Sequence, residues 1–513
     1  MSLNPTVDDE KIVVAADGAA VAADGICEVF SDDALKRKVL KKIDMIILPM
    51  LCFVFFFQYL DKQSLAFAAV EGLETDLHLV GTQYAWTSAI FYVGQLASEF
   101  PFIYLMSRLR LSKFVGVTIV IWGGVCMCLA APKTYHQFLA VRFLLGVSEG
   151  AVSPAFITIT SIWYKKSEHP LRIGWVAPHL PSPCPAYTST NAIMLFIRCW
   201  ITCNGLASLL GSFLMYGIAE GHNLSIAPWR VMFLICGAMT SFIGLIFFFA
   251  MPDNPETAWF LTAEEKVAAA QRLAEEHDGG DKTDFSMKQL KESILDFNSY
   301  AALFFGILVT APAPVLSFAT LMIERLGYTA AQTLLYNAPS GAVQIVAIWA
   351  GVLGCIFFPN KRCLVVICLI LIPIVGCILL VALPFHGWGI IVGAWLGGTG
   401  SSIFTITMSL NASNVKGNTK KSIVNTLYFI GYCTGGIAFP QLWSSKDAPR
   451  YTNGLISSLV AWGLFILLML TYWLVAVMRN RRRVKLAQEG YASPFEAGAD
   501  VTDFQDKSFM YTT

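Results

Sequence analysis

Apolar residues along this chain gather in long blocks of about 20, separated by short polar stretches, a length suited to crossing hydrocarbon rather than to coating one face of a soluble helix. Twelve such blocks stand near residues 43–68, 83–106, 112–131, 137–163, 201–220, 229–251, 299–322, 331–357, 361–383, 387–410, 421–441 and 452–478. The widest polar interval, 252–298, lies between the sixth and seventh blocks. In it, Thr262 followed by Glu265 (TAEE) is a capping box opening a soluble helix, KVAAAQRLAEE. The pattern predicts an all-α polytopic membrane protein. A tail (1–42) precedes a six-helix half (43–251), a linker (252–298), a second six-helix half (299–478) and a closing tail (479–513).

One stretch does not fit. Val176–Cys199, VAPHLPSPCPAYTSTNAIMLFIRC, is rich in proline at its start. Its apolar part, Ala192–Cys203, is too short to span and holds Arg198. Counted as a further span, it would invert every later loop, so it reads as an insertion in a cytosolic loop.

Positive charge sets the expected orientation. One face collects Lys36, Arg37, Lys38, Lys41 and Lys42; Arg108, Arg110 and Lys113; Lys165, Lys166 and Arg172; Lys361 and Arg362; Lys416, Lys420 and Lys421; and the Arg479–Lys485 cluster. The other face has Lys133, Arg230, Arg325, Lys446 and Arg450. By the positive-inside rule both termini are expected in the cytosol. The first thirty or so residues are polar and acidic, with no cleavable signal in view, so insertion is expected to rely on the first span.

Composition agrees with this class. Apolar residues make up 56 % and charged residues 14 %, with a mean hydropathy of +0.59, against about a quarter charged in a soluble domain. A net charge of +1 gives no basic field for nucleic acid. The 13 cysteines include Cys52, Cys126, Cys128, Cys236, Cys368 and Cys377 inside apolar runs and form no CxxC pair. They read as small buried hydrophobes, with neither a disulfide framework nor a metal site expected.

Against this background, charges at membrane depth are the informative residues, because each costs several kcal/mol on insertion scales. They are Asp61 and Lys62 in span one, Glu99 in span two, and Arg142 and Glu149 in RFLLGVSEG of span four. Seven residues rise about 10.5 Å, so Arg142 and Glu149 share a helix face yet cannot pair with each other. Each needs a partner on another helix or in a wet cavity. Arg142 can grip a carboxylate with two parallel hydrogen bonds, and Glu149 can exchange a proton. Structural ion pairs are the alternative for these two, although such locks favour span ends. Asp61 and Lys62 either mark the outer end of a helix or lie within it, and the following LAFAAV favours continuation. Glu99, next to Phe100–Pro101, serves either packing at a kink or coupling. Gly146 and Gly150 form a GxxxG that lets a helix approach closely. The second half carries no charge at depth, only Asn337, Gln344, Asn425, Tyr428 and Tyr432. Of these, Asn337, Asn425, Tyr428 and Tyr432 are the candidate substrate contacts.

Several longer stretches resemble a family. YLDK (59–62), EFP (99–101), RFLLGVSEGAVSPAF (142–156), SIWYKKSEHPLRIGW (161–175), PWRVMFLICG (228–237) and LLYNAPSGAVQI (334–345) are similar to the allantoate permease branch of the anion:cation symporters, within the major facilitator superfamily. ASNVKGNTKKSIVNTLYFIGYCTGGIAFPQLW (412–443) and DAPRYTNGL (447–455) resemble its late signature. The resemblance covers about residues 40 to 478 and implies a fungal plasma-membrane permease. It implies a monomeric carrier importing a small organic anion, a ureide such as allantoate or a vitamin carboxylate such as nicotinate, with a proton as coupling ion and no other cofactor. Carried over by position, Asp61 and Glu149 are the proton-coupling acids, while Lys62 and Arg142 neutralise the anion.

The chain also departs from that family. SRLRLSKFVG (107–116) lacks the usual acid, GVLGCIFFPNKRC (351–363) lacks the usual Asp–Arg pair, and TAPAPVLSF (310–318) replaces a pocket segment that often shows Asn and Gly. Removing Val176–Cys199 joins RIGW to WITCNG and restores the family pattern, so the segment is either a true insertion or translated intron sequence. A polytopic membrane enzyme is the rival class, but the 7 histidines fall in loops or at span ends with no ligand spacing. A nutrient sensor built on the transporter fold is the other alternative.

Overall fold

The computed structural model describes residues 8–164, 199–221, 225–277, 286–358, 361–490 and 500–513. Among them, 12 helices are long and apolar enough to cross a membrane. Spans 1–6 are Lys38–Asp76, Gln83–Arg108, Leu111–Cys128, Tyr135–Thr160, Thr202–Ala219 and Pro228–Ala250. Spans 7–12 are Phe297–Glu324, Ala330–Phe357, Arg362–Ala382, Trp388–Ser413, Asn418–Leu442 and Thr452–Gln488. The insertion read at Val176–Cys199 lies outside the described residues except for Cys199, which opens the helix of span 5.

Each predicted block is a span, and the differences lie at breaks and ends. Span 1 belongs to one helix, Asp8–Ala68, so the helix runs through the expected tail boundary at 42. It then continues as a π turn, Ala69–Leu73, where Gly72 adopts φ 90°, a conformation open to glycine at no steric cost. Span 4 is two helices, Tyr135–Glu149 and Val152–Trp163. Span 7 divides into Phe297–Thr310 and Ala313–Glu324 around Pro312, whose ring removes a backbone donor. Span 10 divides at Gly398–Gly400.

Helices in hydrocarbon gain little from apolar contact alone, so small residues that allow close packing decide which spans pair. A Cβ on Gly146 would sit 2.0 Å from the Phe91 carbonyl oxygen, and one on Gly150 would sit 2.1 Å from Ser98 Oγ. The GxxxG of span 4 therefore packs on span 2, as its spacing predicts. Between the halves, spans 5 and 8 touch at Gly205 and Gly341, where a Cβ on Gly341 would lie 2.5 Å from the Gly205 carbonyl.

At the end of the bundle distant from both termini, contacts join the two halves. Gly81 O accepts from Ser445 N (3.2 Å) and Ser445 Oγ (2.9 Å). Glu74 faces Arg325 at 3.8 Å. Tyr84 meets Phe318 edge-on at 5.3 Å, and Phe318 stacks on Trp443 at 4.9 Å. At the other end, the ion pairs formed by Glu265 and by Lys420 tie each half to the linker or to the closing tail.

The linker holds two helices, Ala263–His277 and Met287–Leu295. The predicted capping box forms: Thr262 N donates to Glu265 Oε2 (3.1 Å) and Glu265 N to Thr262 Oγ1 (3.4 Å). Glu265 also meets Lys42 at 2.6 Å. The Lys42 hydrogen bond, helped by the Thr262 backbone, holds this carboxyl at about 2, below its ordinary 4.5. A depressed acid stabilises above its ordinary value and loses that contribution only as pH falls through about 2, so the pair is intact at any cytosolic pH.

The closing segment, read from sequence only as a polar tail, is docked. Lys420 Nζ, fully buried, lies 2.8 Å from Glu292, 2.9 Å from Asp296 and 2.8 Å from Asp503. Arg479 adds a contact to Asp296 at 2.9 Å, and Tyr511 Oη donates to Asp503 at 2.6 Å. The segment 500–513 thus closes over spans 7, 11 and 12. Lys420→Met leaves three carboxylates facing each other without their shared cation. A buried pair broken from one side costs about 3–5 kcal/mol. The expected result is a clear drop in melting temperature of the purified protein in detergent; an unchanged melt would show that the cluster is solvated.

Candidate functional site

Spans 1, 4 and 6 place the charged groups. Span 1 continues as helix past Asp61–Lys62, because the run after Lys62 is apolar and helix-compatible, so both residues lie within the helix and not at its outer end. Asp61 is 1 % exposed. Its Oδ2 accepts from Thr240 Oγ1 of span 6 at 3.3 Å, and its Oδ1 is buried with no hydrogen-bond partner among the described residues. Glu149 closes the first helix of span 4, just before Gly150 brings the chain against Ser98. It is wholly buried. Its Oε1 accepts from Gln58 Nε2 and meets Lys62 Nζ, each at 3.0 Å, while Oε2 has no hydrogen-bond partner among the described residues.

Arg142 lies two turns earlier on span 4, 3 % exposed, with its guanidinium 5.8 Å from the Phe138 ring centre and 5.9 Å from that of Phe233. Its Nε and Nη2 are buried with no hydrogen-bond partner among the described residues. Asp61 lies within electrostatic range of both Arg142 and Glu149. Glu149 finds its cation on another helix, while the partner that the spacing requires for Arg142 is not met at Nε or Nη2 among the described residues. Glu99 does not join this group; it is half-buried on span 2, with Oε2 unpartnered.

In the second half, the candidates differ in availability. Tyr428 is buried, and its hydroxyl donates to the Phe404 carbonyl at 3.0 Å, which commits it to the wall of its own half. Asn337 Nδ2 reaches Ser212 Oγ of span 5 at 3.5 Å. Tyr432 is half-buried, edge-on to Tyr92 of span 2 at 5.6 Å, so it faces the first half. Asn425 is half-buried.

Sequence reasoning missed Gln58, Thr240, Tyr59 and Tyr92. Gln58 was within reach, since it stands one helical turn before Lys62 and shares its face. Thr240 gives no such signal: it is one hydroxyl in an apolar helix, and only tertiary packing brings it to Asp61.

The arrangement is two acids and two bases in a low-dielectric setting, with two carboxylate oxygens and two guanidinium nitrogens unmet. Such a set can bind an anion on Arg142 and take up or release a proton on either acid.

The Major Facilitator Superfamily model matches residues 51–177 and 194–440, and the break between the matches falls inside Val176–Cys199. The chain belongs to the major facilitator superfamily. This transporter is 33 % identical, over 94 % of its length and 90 % of the relative's, to an uncharacterized transporter of Schizosaccharomyces pombe. It is 30 % identical to the allantoate permease of Saccharomyces cerevisiae, over 93 % of this chain and 86 % of that one. Its fold is similar to that of a D-xylose–proton symporter, with a TM-score of 0.57 at 14 % identity over 83 % of this chain and 96 % of the other. The transporter is therefore a multi-pass membrane carrier of the major facilitator fold with transporters and a permease among its fungal relatives, and not an enzyme.

Proposed function

We propose that this transporter is a proton-coupled symporter that imports a small organic anion across the plasma membrane by alternating access. The observation that carries this reading is the balanced quartet Asp61, Lys62, Arg142 and Glu149 with its unmet atoms. Two acids and two bases sum to zero. An anion arriving on Arg142 adds one negative charge where the dielectric is low and Coulomb terms are large. A proton taken by Asp61 or Glu149 restores neutrality, and the loaded carrier can then reorient. Release inside follows loss of that proton.

Lys62 and Arg142 hold the anion, and Asn337, Asn425 and Tyr432 shape the pocket from the other half, with Tyr428 supporting its wall. The Lys/Arg asymmetry puts the termini in the cytosol, so the closed end of the bundle is the outer one. The allantoate permease relative favours a ureide such as allantoate, with vitamin carboxylates such as nicotinate as the next class. The carrier works as a single chain.

The test is uptake of labelled allantoate, nicotinate and an acidic dipeptide by the full-length protein in proteoliposomes. Accumulation above equilibrium with acid outside, abolished by a protonophore, is expected for at least one. Equilibration without accumulation would leave a uniporter or a sensor in place of a symporter.

A further inference from the structure

Span 8 presents one polar stripe to the first half. Asn337, Ser340, Gly341 and Gln344 follow one another at three- and four-residue spacing, so they share a face. Asn337 reaches Ser212, Ser340 Oγ lies 3.5 Å from Ser208 Oγ, and Gly341 packs on Gly205, all on span 5. Gln344 ends the stripe and reaches a different helix. It is 2 % exposed, and its Nε2 donates to Tyr59 Oη of span 1 (2.9 Å) and to Ser401 Oγ of span 10 (2.7 Å).

These two bonds differ in kind. Ser401 belongs to the same half as Gln344 and moves with it. Tyr59 belongs to the other half, one residue after Gln58, which holds Glu149, and two before Asp61. Any rocking that separates spans 1 and 8 breaks the Tyr59 bond and leaves a buried amide donor unmet, a loss of about 1–3 kcal/mol unless a new acceptor arrives. Spans of the second half carry no charge at this depth, so a neutral donor is what they can offer an anion already gripped by Arg142.

We infer that Gln344 is the residue with which the second half reads the substrate, passing its amide from Tyr59 Oη to an oxygen of the bound anion. This rests on the symport reading of the charged quartet and extends it to a substrate class. The preferred anion has a carboxylate at one end, for Arg142, and a second hydrogen-bond acceptor such as a ureido or amide oxygen at the other. Tyr59 is a competitor for the amide in the empty carrier. Monocarboxylates without a second acceptor are bound weakly because Gln344 has nothing to hold.

The experiment uses full-length protein in proteoliposomes with whichever of labelled allantoate, nicotinate or acidic dipeptide the wild type accumulates. Gln344→Leu keeps the volume and loses both donors; its KM is expected to rise about tenfold, as one hydrogen bond to a charged or polar acceptor predicts, with Vmax within about twofold. Weak inhibition by acetate, which has no second acceptor, is expected to be the same in wild type and Gln344→Leu. Tyr59→Phe removes the competing oxygen and is expected to lower KM severalfold. A purely structural Gln344 would lower Vmax and protein yield and leave KM unmoved, which overturns the inference while uptake by wild type keeps the symport reading. If Gln344→Leu does not reach the membrane, Tyr59→Phe decides alone, and a raised or unchanged KM there overturns it. Wild type that takes up none of the three anions overturns both readings together.

Discussion

Glu149→Gln is expected to exchange substrate down its gradient at a rate near wild type while failing to concentrate it at all. The glutamine keeps the size of the side chain and an oxygen where Gln58 Nε2 now donates at 3.0 Å, so the contact between spans 1 and 4 should survive. It cannot ionise. On the proposed symport reading, the wild-type quartet is neutral without substrate and needs a proton when loaded. With glutamine at 149 the group no longer gains or loses one, so substrate movement is uncoupled from the proton gradient. Lys62, left without its carboxylate partner at 3.0 Å, keeps its positive charge for the substrate, which keeps counterflow running. The measurement is paired: accumulation under an imposed pH gradient, and exchange of labelled for unlabelled substrate at equal pH. Uphill accumulation by the variant would remove Glu149 from the coupling role and leave Asp61 to carry it.

Arg142→Lys carries the second large expectation. Lysine keeps the charge but has a compact ammonium in place of a planar fork with donors at Nε and both terminal nitrogens. At this site the unmet groups are Nε and Nη2, one edge of that fork, with no hydrogen-bond partner among the described residues. An edge of two parallel N–H groups matches a carboxylate, and a lysine can supply only a point contact there. Charged hydrogen bonds contribute about 1.5–3 kcal/mol each, so transport at low substrate is expected to fall about 10- to 100-fold. The guanidinium packs beside Phe138 and Phe233, and lysine retains the cation–aromatic contact, so the amount of protein at the membrane should be preserved. Transport at wild-type affinity in this variant would make Arg142 a structural cation.

The two halves meet at two levels of the bundle. Tyr84, Phe318 and Trp443 stack across the halves, while Gln344 holds Tyr59 across the same interface nearer mid-membrane. The departures noted in the loops do not leave those loops unsupported. At the start of span 3, Ser112 N donates to Asp253 at 3.0 Å and Lys113 to the Phe248 carbonyl. At the start of span 9, Arg362 donates to Ser413 at 2.9 Å. The Lys113 and Arg362 contacts each stay inside one half and that of Ser112 reaches the start of the linker, so none of the three bridges the halves.

Sequence alone determined the class of the molecule, its twelve spans, the break into halves and the identity of the buried charges. The physical reason is that hydrocarbon is an unforgiving solvent: a span must be about 20 apolar residues, and a charge inside one stands out without any knowledge of its neighbours. The GxxxG of span 4 and the TAEE cap were legible for the same reason, since spacing within one helix fixes which side chains share a face. What only the tertiary structure decided is who meets whom. Lys62 rather than Arg142 pairs with Glu149, Thr240 reaches Asp61 from an apolar helix, Tyr428 is committed to Phe404, and Gln344 joins the halves through Tyr59. The docking of 500–513 on Lys420 belongs with these. Each is a contact between residues far apart in the chain, set by how helices rotate and slide against one another, and no local period along the sequence encodes that.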